Sequence, residues 1–239
     1  MMVCRDISFD MPEKNILFDD LLLNEAESGR QGECLRFWES PVVFIVLGRI
    51  GKAPEDLNVD VVKSSAIPVL RRSSGGGTVV QGPGCLNYSL ILRKDGSPAL
   101  QDIRRSYEYI LAKACGALAA TGVDCRPQPI SDIALETGRK ISGNAQKRGR
   151  GFILHHGTLL CGFDLSLIER YLAMPKEMPE YRKGRAHRDF VANLDISSGK
   201  IKTCLKKAFG FLQEKNGLSD HEERLLQNML FAQKVSVDI

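Results

Sequence analysis

The stretch Arg71–Leu92, RRSSGGGTVVQGPGCLNYSLIL, constrains the fold of this chain more than any other segment. Two arginines and two serines lead into three glycines, and strand-forming residues follow directly. Glycine in a strand region costs conformational entropy and contributes no side chain to a core. The run therefore indicates either a glycine-rich bend on a basic sheet edge or a loop that a ligand approaches closely. In the second case, backbone N–H groups and the Arg71/Arg72 pair would bind an anion.

Two common nucleotide-binding loops are excluded by the residues around these glycines. No Gly-Lys-Ser/Thr follows them, and the GxGxxG spacing of a dinucleotide fold is missing. The 239 residues suffice for one large domain, or for one domain with a small appendage. A formal charge of +4 is mild, so we expect no nucleic-acid partner, although an acidic protein or an anionic substrate would suit it.

The cysteines and the N-terminal residues bear on the compartment. Seven cysteines are scattered without a CxxC pair, and MMVCRDISFD carries charged residues where a signal peptide needs an apolar run. We expect reduced thiols in a cytoplasmic protein. The longest apolar run, VVFIVLG, is too short to span a bilayer, so no membrane association is predicted.

Hydrophobic periodicity predicts a mixed set of helices and strands. Helices are predicted over 15–27, 56–65, 102–121, 165–172, 199–215 and 220–234. Strands are predicted over 41–48, 67–73 and 152–163, and a hairpin over 78–80 and 86–92 around the turn QGPG. The sheet-building residues occupy roughly 40–165. Because strands and helices do not alternate regularly, we predict an α+β fold with a central mixed or antiparallel sheet and flanking helices.

Two further motifs carry candidate functional residues. In GRKISGNAQ, Lys140 is either part of a solvated turn or a mobile charge that reaches a phosphate or a developing carboxylate charge. In ILHHGTLL, adjacent histidines of one strand point to opposite faces, so one is expected to be structural and the other to line a pocket. The remaining histidines, His187 and His221, supply no matching zinc pattern.

Together these motifs resemble a known family. RRSSGGGTVV…LNYSL, GRKISGNAQ…RGFILHHGTLL and YRKGRAHRDFVANL, in this order, are similar to the lipoate-protein ligase family. That family lies in the biotin/lipoyl protein ligase superfamily, which includes the octanoyltransferases. The resemblance covers about residues 10–195. It implies a class II synthetase-like catalytic domain over 1–195 and a short helical tail over 196–239, packed on that domain, in place of a full accessory domain.

The resemblance also implies an activity. Ligases of this family use ATP and Mg²⁺ to convert lipoate into lipoyl-AMP. They then transfer the lipoyl group to a lysine of lipoyl-domain proteins, such as 2-oxoacid dehydrogenase E2 subunits and the glycine-cleavage H protein. Lipoate, octanoate or both are candidate substrates, a separate accessory subunit is a candidate partner, and a monomer is expected.

The family pattern assigns roles residue by residue. It implies Lys140 as the catalytic lysine that contacts the acyl carbonyl and the phosphate, and Asp132 as the acidic residue facing the nucleotide and its metal. Arg72, Gly77 and His156 are implied in lipoate binding. The residues implied in binding the acyl-adenylate are Arg72, Ser74, Gly75, Gly76, Gly77, Thr78, Val79, Asp132, Lys140 and Thr158. An apolar slot for the acyl tail is expected from VVFIVLG and the Leu86–Leu92 face.

One loop remains open to more than one interpretation. The loop after Pro179 is either a solvated basic segment or a docking rim in which Arg182 and Arg185 orient an acidic lipoyl domain.

The chain itself is predicted to be a ligase. The main alternative is an octanoyl or lipoyl transferase of the same fold, with Cys125 or Cys161 as the thioester nucleophile. A biotin ligase and a non-catalytic lipoyl-domain-binding protein are weaker alternatives.

Overall fold

A computed structural model describes residues 2–211, 213–232 and 235–239 of the chain. The strands are β1 Val3–Asp6, β2 Cys34–Trp38, β3 Phe44–Leu47, β4 Val69–Arg71, β5 Val79–Gln81, β6 Cys85–Arg93, β7 Cys125–Gln128, β8 Asp132–Leu135, β9 Lys140–Arg148, β10 Phe152–Leu160 and β11 Gln213–Glu214. The helices are α1 Pro12–Glu27, α2 Ala53–Asp56, α3 Val59–Ser64, α4 Pro98–Gln101, α5 Ile103–Ala119, α6 Ser166–Tyr171, α7 His187–Phe190, α8 Ser198–Phe209 and α9 Asp220–Ala232. Short 3₁₀ turns cover Lys94–Gly96 and Glu180–Arg182.

The larger sheet has eight strands in the order β11-β1-β2-β6-β10-β9-β8-β7. β1 runs parallel to β11 and β2, and the other neighbours are antiparallel. On one face, Leu86, Tyr88 and Leu90 pack with α5 and α8. On the other face, Ile91 and Leu154 pack with α1 and α9. The prediction of an α+β fold with a mixed central sheet and flanking helices is confirmed.

A smaller sheet in the order β4-β3-β5 lies beside the ends of β6 and β10. The predicted hairpin is wrong, because β5 pairs with β3 and not with β6. Both edges of β6 are already occupied, by β2 and β10. The turn QGPG therefore carries the chain from one sheet to the other. Its Gly84 has φ +86°, and a Cβ there would lie 2.5 Å from the backbone N of Phe163, which explains the glycine.

The prediction that the sheet begins near residue 40 is also wrong. β1 and β2 precede that position, and each carries a fully buried arginine that interrupts the apolar pattern. Arg36 donates to Asp19 over 2.7 Å, and Arg5 pairs with Glu222 of α9. Buried charges of this kind need such partners, and a single sequence does not display them. Sequence periodicity therefore missed both β1 and β2.

Helix boundaries differ from prediction where the backbone turns. The helix expected over 56–65 is two short helices, α2 and α3, and the helix expected over 199–215 ends at Phe209. Gly210 follows with φ +79°, the left-handed conformation that ends a helix. α8 packs on α5, and α9 packs on α1. None of the described helices is long and apolar enough to cross a membrane.

Candidate active site

Two cavities meet where the smaller sheet faces β8, β9 and β10. The larger has a volume of ≈ 350 Å³ and the smaller of ≈ 180 Å³. Nine residues line both: Gly77, Thr78, Val79, Gln81, Ser131, Asp132, Lys140, Gly143 and Thr158. The three predicted motifs therefore converge on one place, since this set combines the end of the glycine-rich loop with parts of GRKISGNAQ and HHGTLL. A ligand with two dissimilar halves could occupy the two cavities and cross this junction.

The glycine-rich loop is organised around Arg72. The Arg72 guanidinium is buried and donates to the carbonyl oxygens of Gly75 (2.6 Å) and Gly77 (2.8 Å). Burial lowers the pKa of Arg72 to about 10, so the side chain remains charged at neutral pH. Gly48 completes the packing, because a Cβ there would lie 2.0 Å from the Gly76 carbonyl oxygen. Arg72 thus holds the loop in shape and lines the smaller cavity.

The other residues of the loop are held by different partners. Arg71 donates to the Gly51 carbonyl over 2.7 Å, and it lines neither cavity within the described part of the chain. Ser73 donates to Asp20 Oδ1 of α1 over 2.5 Å, and Lys147 Nζ reaches the same oxygen over 2.8 Å. Asp20 is itself buried. Ser73 therefore ties the loop to α1, and Lys147 of β9 holds the same carboxylate.

Thr78 and Val79 follow the glycines and line both cavities. The Thr78 hydroxyl donates to Asp56 Oδ2 over 2.6 Å, and Asp56 also lines the larger cavity. Sequence reasoning did not identify Asp56, which lies at the end of α2 without a recognisable motif. Its position next to Thr78 follows from the pairing of the smaller sheet.

Lys140 begins β9 and stands at the junction. Its Nζ lies 2.8 Å from Asp132 Oδ1, and the other carboxylate oxygen of Asp132 accepts from the Tyr181 hydroxyl over 2.6 Å. Burial and the Asp132 carboxylate raise the pKa of Tyr181, so the phenol stays a donor. A Cβ on Gly143 would lie 2.9 Å from Lys140 Nζ. The glycine of KISG therefore lets the lysine side chain lie along its own strand.

The two histidines of β10 lie on opposite faces, as strand alternation predicts. His156 lines the smaller cavity, and its Nε2 is 2.6 Å from Ser74 Oγ. Burial and the Arg72 charge lower the pKa of His156 to about 3, so it is neutral at physiological pH. His155 is fully buried between Tyr88 and Tyr107 on the other side of the sheet. His156 is the pocket residue and His155 the structural one.

Polar residues that sequence reasoning did not single out complete the junction. Thr158 donates to Asn87 Oδ1 over 2.6 Å, and Gln81 Nε2 donates to Thr158 over 2.8 Å. Asn144 accepts from the buried Tyr88 hydroxyl over 2.5 Å and lies against Gly157, where a Cβ would be 1.9 Å from Asn144 Oδ1. A polar side chain at a buried strand position is the signal that could have revealed Asn87 and Asn144.

Apolar side chains form the outer walls of both cavities. The smaller is lined by Ile16, Trp38, Val46 and Ala145, and the larger by Leu160, Ile168, Leu172, Phe190 and Val191. Val46 lies in the predicted segment VVFIVLG. The prediction that the Leu86–Leu92 face lines an acyl slot is wrong, because that face packs in the core against α5. Asn87, on the opposite face of β6, lines the smaller cavity.

The basic loop differs from its predicted form. Arg182 is only 4% exposed, lies 4.7 Å from the Phe190 ring centroid and donates to the Arg185 carbonyl. Arg185 donates to the carbonyls of Gly138 and Tyr181. The interpretation as a solvated segment is therefore wrong for Arg182, which stabilises the loop that bears Tyr181, and the docking role of the loop stays a prediction. Lys183 and Arg188 are the exposed cations of this segment.

Neither a metal cluster nor a thiol nucleophile stands out in the described residues. They contain no group of three or more His, Cys, Asp or Glu side chains that could hold a metal ion. All seven cysteines are free and none lines either cavity in this part of the chain. Burial raises the pKa of Cys85 and of Cys161 to about 12, so their thiols stay protonated. The half-buried Cys125 lies outside both cavities, and a hydrogen bond with Cys115 of α5 lowers its pKa.

A match to a protein-family model shows which family the chain belongs to. The model described as the lipoyl protein ligase A/B catalytic domain matches residues 11–209. The chain belongs to this family. Among curated relatives of this lipoyl ligase-family protein, lipoate-protein ligase LplJ of Bacillus subtilis is 33% identical over 150 residues, covering 63% of the chain. Octanoyltransferase LipM of an Exiguobacterium species is 28% identical over 235 residues, covering 85% of the chain and 84% of the relative.

Coverage differs between these relatives. The chain spans 44% of the Bacillus subtilis ligase and 48% of a related protein of Mycoplasma pneumoniae. In contrast, lipoate-protein ligase A subunit 1 of Thermoplasma acidophilum is 25% identical over 240 residues, covering 94% of this family member and 89% of the subunit. The relatives include ligases and octanoyltransferases alike, so membership of the family does not choose between the two reactions.

Solved structures have the same fold. The bi-partite lipoate protein ligase from Thermoplasma acidophilum, studied with its E2 lipoyl domain, gives a TM-score of 0.81 at 25% identity, covering 97% of this chain and 92% of that one. A lipoate-protein ligase A bound with ATP gives 0.80 at 23%, covering 97% and 94%. A Thermoplasma acidophilum protein with bound lipoic acid gives 0.79 at 22%, covering 96% and 94%. At these last two identities the likeness shows the fold alone.

Proposed function

We propose that this protein attaches lipoate to a lysine of lipoyl-domain proteins through a lipoyl-AMP intermediate formed from ATP. One observation carries the choice of a ligase over a transferase. Lys140 stands at the junction of the two cavities, and within the described residues no cysteine lines either cavity. A transferase that works through a thioester needs a thiolate at the reacting carbonyl. A ligase needs a charge that stabilises the acyl phosphate, and Lys140 supplies it.

The first half-reaction fits the two cavities. The nucleotide would occupy the larger one, with its base against Leu172 and Phe190, and the acyl chain would occupy the smaller one beside Trp38. The carboxylate oxygen attacks the α-phosphorus, and pyrophosphate leaves. Lys140 lines both cavities, so its ammonium group can contact the acyl oxygen and the phosphate together as negative charge develops.

In the second half-reaction the neutral amine of the acceptor lysine attacks the acyl carbonyl, AMP leaves, and the nitrogen loses one proton to solvent as the amide forms. The amine must be neutral, although a free lysine has a pKa of about 10.4. The positive charge of Lys140 at the same junction disfavours protonation of a second ammonium beside it. Asp132 holds Lys140 in place and is fixed in turn by Tyr181. The chain then needs no side-chain nucleophile of its own.

The nucleotide would bring magnesium with it. Magnesium commonly binds one or two carboxylates together with substrate phosphates, and Asp132 and Asp56 are the aspartates that line the larger cavity. When bound, the ion would neutralise phosphate charge.

The acceptor and the accessory partner complete the proposal. The Thermoplasma acidophilum ligase is bi-partite and was studied with its E2 lipoyl domain. We infer an acidic lipoyl domain as acceptor here, steered by exposed Lys183 and Arg188, while Arg182 and Arg185 shape the loop that presents them. A separate accessory subunit would assist adenylation. Seven unpaired cysteines favour a reducing, cytoplasmic setting.

Acceptor mass spectrometry tests the reaction. The purified chain is incubated with an apo lipoyl domain and one of three donors: lipoate with ATP and magnesium, synthetic lipoyl-AMP, or octanoyl-acyl carrier protein without ATP. We expect lipoylation from lipoyl-AMP, and from lipoate with ATP either directly or once the accessory subunit is added. Alkylation of the thiols should leave transfer intact, as should Cys125→Ser and Cys161→Ser.

Two outcomes would contradict the ligase assignment. Transfer from octanoyl-acyl carrier protein without ATP, abolished by Cys125→Ser or Cys161→Ser, would identify a thioester transferase. Failure with all three donors, while the lipoyl domain still binds, would identify a non-catalytic binding protein. A transferase remains the second candidate because the match to octanoyltransferase LipM covers 84% of that relative, whereas the match to the Bacillus subtilis ligase covers 44%.

A further inference from the structure

Residues 235–239 return from α9 to the smaller sheet and lie along β4. The Arg71 N–H donates to the Val235 carbonyl over 2.8 Å, and the Val237 N–H donates to the Val69 carbonyl over 2.8 Å. Leu70 and Ser236 face each other between these bonds in antiparallel register. The segment therefore acts as one more strand beside β4, although it lies outside residues 11–209, which the family model matches.

β4 has a special position in the site. It is three residues long and runs directly into Arg72, whose side chain holds the glycine-rich loop. Its inner edge pairs in parallel with β3, and Arg72 N–H continues that ladder to the Leu47 carbonyl over 3.0 Å. Without residues 235–239, the outer edge of β4 would have unpaired backbone groups. So short an edge strand would have only one neighbour to fix it.

Side chains support the same placement. Val237 and Ile239 pack against the cluster that contains Leu57, Val62 and Tyr171, behind the larger cavity. α9, which precedes the segment, is fixed by the buried ion pair between Glu222 and Arg5. The end of the chain is thus anchored at two places, one on β1 and one on β4.

We propose that segment 235–239 is a positioning element of the active site: by pairing with β4 it fixes the base of the glycine-rich loop and the place of Arg72. Its catalytic consequence rests on the proposed function, whereas its effect on the loop does not. The competing role is a cover for apolar surface, which would stabilise the fold without altering the loop.

Two proline variants separate these roles. Val237→Pro removes the N–H that donates to Val69. Ser236 belongs to a non-hydrogen-bonded pair, so its N–H points away from β4, and Ser236→Pro is the matched control. If Val237→Pro fails to fold, an ester in place of the Val237 amide deletes the same N–H without a ring.

Hydrogen exchange followed by mass spectrometry gives a readout independent of activity. In Val237→Pro we expect exchange of the Arg49 amide, which donates to the Ser74 carbonyl of the glycine-rich loop over 2.8 Å, to accelerate about fivefold or more, with Ser236→Pro close to the wild type. The KM values for lipoate and ATP should rise by a similar factor while the thermal midpoint stays within a few degrees. Faster exchange confined to residues 69–71, with exchange of the Arg49 amide unchanged, would overturn the inference. A wild type that transfers lipoate neither from lipoyl-AMP nor from lipoate and ATP with the accessory subunit would refute the proposed function, and the exchange result would still decide the positioning role.

Discussion

At the residue scale, the structure explains why three positions around the site are glycine. Gly48 admits the Gly76 carbonyl, Gly143 admits the Lys140 side chain, and Gly157 admits Asn144. Each glycine is required by a neighbouring atom and not by a turn. The packing of the RRSSGGG stretch therefore depends on Gly48, a residue more than twenty positions earlier in the chain.

Lys140→Ala tests the junction. Removing the ammonium should lower acyl transfer on the order of 100-fold or more, because a preorganised charge at the reacting centre is lost. Lys202→Ala is the matched control: Lys202 is also a partly buried lysine paired with an aspartate, Asp6 at 2.9 Å. Transfer rates and circular dichroism spectra are compared for the two variants. Full transfer by a folded Lys140→Ala protein would refute the assignment of this lysine.

Asp20 is predicted to stabilise the glycine-rich loop through its contact with Ser73. Asp20→Asn weakens the charge-assisted contacts with Ser73 and Lys147, so we expect the KM for lipoate to rise about tenfold with a smaller change in kcat. Glu25→Gln, a buried carboxylate on the same helix that is paired with Arg30, is the control. Combined with Ser73→Ala, the effect of Asp20→Asn should be less than additive. Strict additivity would show that the two side chains act separately.

His155 should make the fold sensitive to acid. Burial, and then the neighbouring His156, lower the pKa of His155 to about 3, against an ordinary value of about 6.5. Below pH 6.5 the unfolded chain binds a proton that the native protein does not, so stability falls as the pH drops from 6.5 towards 3. His155→Gln should reduce this slope by about 1.4 kcal/mol per pH unit. Urea unfolding at pH 7.5 and 5.0, with exposed His221→Gln as control, measures it; equal slopes would contradict the prediction.

At the element scale, sequence patterns succeeded where one side of an element is apolar. The alternation of Leu86, Tyr88 and Leu90 identified β6, and the stripe along α5 identified that helix. These patterns failed where polar groups are buried in a strand, and where a turn connects strands of two different sheets. Arg5 and Arg36 concealed β1 and β2, and a two-glycine turn resembled a hairpin although it joins two sheets. Partners distant in sequence decide both cases.

The pairing of β9 with β10 can be tested at its closest point. Gly157 opposes Asn144, and a Cβ on Gly157 would lie 1.9 Å from Asn144 Oδ1 and 2.8 Å from Tyr88 Cε1. Gly157→Ala should lower the free energy of unfolding by about 2–4 kcal/mol. Adding Asn144→Ala should recover part of that loss, since one of the two clashes disappears. Gly199→Ala, where nothing lies within 4 Å, should be neutral. Denaturant titration decides, and a neutral Gly157→Ala would refute this packing.

At the scale of the whole molecule, the sequence predicted the family and the convergence of three motifs on one site. It did not predict how the basic loop folds, because a charge run gives no indication that Arg182 stacks on Phe190. It also did not predict that residues 235–239 return to the smaller sheet, since so short a segment has no periodicity to detect. The three motifs that meet at the two cavities are local in sequence, whereas the scaffold that orients them comes from both ends of the chain.

The nine lining residues shared by the two cavities have a thermodynamic consequence. Ligands in the two cavities would both contact Lys140 and the backbone after Gly77, so we expect their binding free energies to be coupled. Linkage requires that ATP change the affinity for lipoate by the same factor by which lipoate changes the affinity for ATP. We expect a factor of about 5 or more, measured by calorimetry with a non-hydrolysable ATP analogue. A factor of one in both directions would mean that the two ligands bind independently although nine residues line both cavities.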